Sequence, residues 1–152
     1  MRLFIGLLAV LSLTACSSTA PIRDLVADSP LHNWVSHYAV VMAKDSPVEP
    51  LQAPVVRDIF LRKTRELVGI TLVPVNILGE PPARVQFESR VLEMDREDLN
   101  RYWITSHFKE VSPPSTQASF DAVRQFVIRV EGALGYIPIE MVTEELKVLY
   151  EF

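Results

Sequence analysis

From Tyr38 onward, apolar and polar positions follow two periods. Tyr38 to Ala43 (YAVVMA) is almost continuously apolar and rich in β-formers, which predicts a strand buried on both faces of an α/β sheet. After Ser46-Pro47-Val48-Glu49-Pro50, a proline-rich turn, Val55, Val56, Ile59 and Phe60 fall on one helical face opened by Pro54. Ile70 to Val75 predicts a second strand, with Pro74 placing its end at a sheet edge or where the strand leaves the sheet, and Asn76 to Pro82 predicts a loop. Phe87, Val91 and Leu92 mark a helix. Asp95 with Asp98 opens another, with Leu99, Tyr102 and Trp103 on its face, and Ser112-Pro113-Pro114 ends it. Phe120, Val123, Val127 and Val130 trace a further helix, capped by Ser119 and stopped at Gly132. Leu134 to Ile137 supplies the next strand. In a last strand, Leu146, Val148, Tyr150 and Phe152 form one face and Lys147, Leu149 and Glu151 the other. Strand, helix, strand, three helices, strand, strand is the order of an α/β domain with helices covering a mixed sheet.

The N-terminal segment follows neither period. Met1-Arg2 is a minimal positive start, and Leu3 to Leu13 is an apolar run too short to span about 30 Å of hydrocarbon, the pattern of a signal peptide. Leu13-Thr14-Ala15-Cys16 resembles the bacterial lipobox, which implies cleavage before Cys16 and acylation of that residue. Ser17-Ser18 follow, without the aspartate associated with inner-membrane retention, and this implies sorting to the outer membrane. Ser17 to about Pro30 reads as a tether. The expected organisation is a lipoprotein signal peptide over 1–15, the lipidated cysteine and tether over 16–30, and one domain over 31–152.

Composition narrows the chemistry. The chain has 152 residues, 49% hydrophobic and 22% charged, enough for one domain that folds without staples. Its single cysteine excludes an intramolecular disulfide, a Cys-x-x-Cys pair and a thiolate zinc cluster. A formal net charge of -4 argues against a nucleic-acid partner. There is no Gly-x-Ser-x-Gly elbow and no Gly-x-x-x-x-Gly-Lys loop, so no enzyme is expected. His32, His37 and His107 lack metal-ligand spacing, and neither a metal nor a cofactor is expected.

Three stretches, in this order, resemble the phosphate-type periplasmic solute-binding proteins of ABC importers: AVVMAKDSPVEPL, RDIFLRKTREL and GALGYIP. They match that family's Asn/Asp-x-Pro-Val turn at Asp45 to Val48, its [IL]-F-x-[GR]-K helix at Ile59 to Lys63 and its Gly-Ala-[IL]-Gly-Tyr strand at Gly132 to Tyr136. The resemblance implies an α/β fold equal to one lobe of a periplasmic-binding-protein-like (PBP-like) fold, a mixed sheet flanked by helices, without the family's hinge partner. In those proteins a Gly-Ser-Gly-Thr loop before a helix holds the anion. Aligning Gly79 to Phe87 with it keeps Arg84 and Phe87 but sets Pro81, Pro82 and Ala83 where Ser, Gly and Thr belong, with Glu80 adding a negative charge. Weak or absent phosphate binding is the expectation at this loop.

The candidate anion or partner site is Asn76, Glu80, Arg84, Arg62 and Lys63. Arg57, Arg62, Lys63 and Arg65 form a basic cluster that reads either as an anion or partner patch or as a solvated helix end. The acidic run Glu93, Asp95, Glu97, Asp98 reads as capping, and Tyr102 and Trp103 as core, with Phe108 completing an alternative aromatic platform. Three functions remain open. One is a non-catalytic envelope lipoprotein whose lobe is a recognition or accessory module for an envelope protein. Another is the phosphate or oxyanion-binding component of an ABC-type importer. The last is a structural outer-membrane lipoprotein. All three place the chain on the periplasmic face of the envelope, held to the membrane through its N-terminal lipid.

Overall fold

A computed structural model describes residues 37–152; the leader, Cys16, His32 and the tether lie outside the described residues. The elements run β1 (Tyr38–Ala43), α1 (Ala53–Phe60), β2 (Glu66–Leu67), β3 (Ile70–Thr71), β4 (Val73–Ile77), α2 (Pro82–Arg90), α3 (Arg96–His107), β5 (Ser115–Gln117), α4 (Phe120–Arg129), β6 (Ala133–Pro138) and β7 (Leu146–Glu151), with a 3-10 turn at Ile139–Met141. Five strands form one mixed sheet in the order β5-β4-β6-β1-β7. β4 is parallel to β5 and β6, while β1 is antiparallel to β6 and β7.

Local chemistry sets most of these bounds. Pro54 enters α1 in its first turn, where a missing N–H costs nothing, and Val56, Ile59 and Phe60 are buried. The Asp95 carboxylate caps α3 by accepting from the Asp98 amide at 2.8 Å, and Ser119 caps α4 by accepting from Ala122 at 3.1 Å. β1 is buried along its length because it lies between two strands and beneath helices, as its unbroken apolar run predicted.

Adjacent residues of β6 point to opposite faces, and the two faces have different covers. Tyr136 stacks on Phe87 of α2 at 4.3 Å between ring centroids and meets Phe60 of α1 at 6.1 Å. On the other face α4 crosses directly above Gly135, where a Cβ would lie 2.6 Å from a methyl of Val123. Helices therefore flank both sides of the sheet.

Four sequence expectations are corrected. The strand expected over Ile70 to Val75 divides: Ile70–Thr71 pairs with Glu66–Leu67 in a small hairpin, and the sheet strand is Val73–Ile77, so Asn76 lies in a strand rather than a loop. Pro74 belongs to an interior strand; β5 joins β4 only from Val75 onward, so no neighbour on that side requires the proline's missing N–H. Ser115–Gln117 is a strand that its polar composition concealed. The alternation expected in β7 breaks at Leu149, the extra residue of a bulge between Val40↔Tyr150 and Val41↔Val148, and Leu146 and Leu149 are both buried.

Candidate functional site

β4 delivers Asn76, half-buried, toward the start of α2. Pro81 is the N-cap of that helix and Pro82 its first residue, with no side-chain cap. Two of the four amides that open an ordinary helix are thereby absent, and a third, that of Arg84, turns inward to the Pro81 carbonyl at 2.9 Å, which leaves the Ala83 amide. Few backbone donors remain where an anion would need them.

The Arg84 side chain folds back over the same loop. Its NH1 donates to the Ile77 carbonyl at 2.9 Å and to the Gly79 carbonyl at 3.3 Å, and its Nε donates to Glu88 Oε1 at 2.9 Å. Glu88, only 7% exposed at its side chain, takes a second cation at its other oxygen, Arg96 NH2 at 3.0 Å; Arg96 also reaches Glu80 at 3.4 Å. Two arginines and two glutamates form one chain of ion pairs with no net charge. It borders a cavity of about 280 Å³ whose other polar walls include Asn76, Asn100 and Thr116, with Trp103 beside them. Beneath it the Tyr136 hydroxyl is enclosed without a hydrogen bond of ordinary geometry, and burial pushes the phenol's pKa up while Arg84 and, next, the Ile77 backbone pull it down.

Asn76, Glu80 and Arg84 are thus gathered at one end of the sheet. Arg62 and Lys63 are not with them. Arg62 lines a different cavity together with Arg65, while Lys63 pairs with Asp58 at 3.6 Å and lies 6.0 Å from the Tyr102 ring centroid. Arg57, the fourth of the basic cluster, pairs with Glu93. Glu88 and Arg96 are the site residues that sequence reasoning missed. The i,i+4 spacing of Arg84 and Glu88 was a usable signal for the first; nothing in the sequence marks Arg96, which arrives from α3.

The remaining candidates have structural partners. Asp95 caps α3, and Glu97 and Asp98 pair with Arg101. Tyr102 donates its hydroxyl to the Leu61 carbonyl at 2.7 Å and packs edge-on against Trp103, whereas Phe108 is 84% exposed. No group of three or more His, Cys, Asp or Glu side chains converges among the described residues.

No family model and no curated protein matches the chain. Solved structures do. One is from Clostridium perfringens, assigned as a phosphate ABC transporter substrate-binding protein and solved with bound phosphate; its TM-score is 0.61 at 17% identity, over 75% of this chain and 45% of that one. Another is an ABC-type phosphate transport receptor from Vibrio cholerae, with a TM-score of 0.59 at 17% identity, over 75% of this chain and 46% of the other. This chain spans less than half the length of either relative in the matched region. The fold is that of one lobe of a phosphate-type solute-binding protein, as the three sequence motifs implied.

Proposed function

We propose that the chain is a non-catalytic cell-envelope lipoprotein, anchored through Cys16 on the periplasmic face of the outer membrane, whose PBP-like lobe recognises another envelope protein. One observation supports this reading above the others: Arg84, the cation an oxyanion would need at the loop before α2, already serves Ile77, Gly79 and Glu88. Bound there, a phosphate would have to displace a buried ion pair and find donors at a helix that starts with two prolines. A surface used for protein contact has no such requirement.

Two measurements test the reading together. Phosphate titrated into the full chain by calorimetry should give no binding heat, and crosslinking in intact envelopes should recover a protein partner. Phosphate binding that Arg84→Ala abolishes, with no partner recovered, would overturn it.

An oxyanion-binding component of an importer is the second reading. It is favoured by the cavity of about 280 Å³ that Asn76, Arg96, Asn100 and Thr116 line, and by the phosphate held in the Clostridium perfringens relative. That reading predicts thermal stabilisation by phosphate or sulfate of about 2.7 kcal/mol at 100 times Kd; a flat response across millimolar titrations removes it.

A further inference from the structure

The basic cluster after α1 divides into two kinds of cation. Arg57 and Lys63 have carboxylate partners, whereas Arg62 and Arg65 form no ion pair among the described residues; Arg62 gives one N–H to the Leu72 carbonyl at 3.1 Å and Arg65 its Nε to the Arg62 carbonyl at 3.5 Å, and their remaining N–H groups have no carboxylate. These two line one cavity of about 390 Å³, opposite Pro74, Glu110, Ser112 and Ser115. The cavity opens where the β4–β5 ladder has not yet begun: pairing starts at Val75↔Ser115, and Pro74 has no N–H to extend it. Arg62 follows the end of α1 and Glu110 the end of α3, each in the left-handed backbone that closes many helices, at φ of 61° and 57°, so two helix ends bring these side chains to the cavity. Burial, and then the charge of Arg65, pull the Arg62 guanidinium below its ordinary range, so an incoming negative charge is favoured there. With Glu110 the only carboxylate of the lining, the balance is two cations against one anion.

β5 runs out of the same cavity wall. It is an end strand of the sheet, and because the Gln117 carbonyl accepts from Leu78 at 2.8 Å, the N–H and C=O of the exposed Thr116 face away from β4. A free strand edge is a template for an extended peptide, and the prolines at 113 and 114 limit that template to a few residues.

We infer that this cavity is a carboxylate site, and that its ligand is an acidic, extended polypeptide segment whose carboxylate bridges Arg62 and Arg65 while its backbone runs along β5. The inference rests on the recognition reading above and names the chemistry of the partner. A lone small carboxylate shares the charge contact but not the strand contact, so the two sources separate experimentally.

The test uses the full chain with a tri-aspartate peptide, succinate and inorganic phosphate as probes. Expected are saturable tri-aspartate binding, weaker succinate binding, and a loss of about tenfold in peptide affinity in Arg65→Gln. Arg65 is exposed, so this variant keeps the fold. Lys63→Gln removes the same charge outside the cavity and should leave affinity unchanged. The inference is overturned by absence of peptide binding, by equal losses in Arg65→Gln and Lys63→Gln, by succinate binding as tightly as the peptide, or by phosphate outcompeting it. Envelope crosslinking of Arg65→Gln separates the two claims: a partner recovered undiminished leaves the recognition module standing and removes the cavity from it.

Discussion

Arg84 and Ile77 are joined by a 2.9 Å hydrogen bond from guanidinium to backbone carbonyl, so the residue best placed to attract an anion instead ties the end of β4 to the start of α2. The bond holds because Glu88 fixes the other side of the same guanidinium from within the helix.

Glu88 is the keystone of that arrangement. Glu88→Ala would leave Arg84 and Arg96 facing each other in a poorly solvated site, and a loss of about 3 kcal/mol is expected in urea unfolding. A loss under about 1 kcal/mol, the scale of an exposed pair, would show that the cluster does not hold the loop.

Tyr136→Phe should stabilise the protein. The hydroxyl is buried with no hydrogen bond of ordinary geometry, the Ile77 backbone being a polar neighbour, and removing such a group relieves a desolvation cost of about 1 kcal/mol while the ring keeps its stacking on Phe87. The pH dependence has a definite sign. The folded phenol holds its proton above the ordinary value of 10.0, so its contribution is complete below that pH and is lost as pH rises and the unfolded chain ionises. Unfolding free energies measured on both proteins should diverge with pH above about 10, wild type falling faster than Tyr136→Phe; parallel curves would contradict this.

Gly132→Ala should be among the most damaging small substitutions. Gly132 has φ of 73°, and an added Cβ would lie 2.0 Å from the Thr71 carbonyl oxygen. Its own carbonyl accepts the Val73 amide at 2.9 Å, so relief by backbone movement would disturb the β4–β6 junction. A loss above about 2 kcal/mol is expected in thermal or urea unfolding; a neutral result would mean the hairpin of β2 and β3 yields freely.

Replacing Cys16 by Ala tests the anchor. Two or three acyl chains, each CH₂ contributing about 0.8 kcal/mol, hold a lipoprotein at the bilayer, and Cys16→Ala should lose palmitate labelling and keep its uncleaved leader, seen as a larger apparent mass. Palmitate labelling that persists in Cys16→Ala, or none in the wild type, would show that the lipobox resemblance misleads.

Strong local signals made much of the fold legible. The unbroken apolar run gave β1 its bounds, Asp95 and Ser119 announced their helices through capping chemistry, and Phe60, Phe87 and Tyr136 were readable as apolar positions on separate elements. β5 was not legible because Ser, Thr and Gln carry no strand signal; its place comes from β4 beside it. The bulge at Leu149 also escaped, since one extra residue in β7 is defined only against β1. In the candidate site, the proximity of Asn76, Glu80 and Arg84 followed from their closeness in sequence, across the end of β4 and the start of α2, while the arrival of Arg96 and the separation of Arg62 from Arg84 depend on contacts between distant elements.

Helix starts, the buried strands and the scarcity of donors in the loop before α2 are local matters, because caps, apolar periods and prolines act within a few residues of themselves. Which charges are neutralised is settled by packing between elements. Ion pairs such as Arg96 with Glu88 and Arg57 with Glu93 join different elements of the chain, and a cation's availability to a ligand depends on the carboxylate that folding brings beside it.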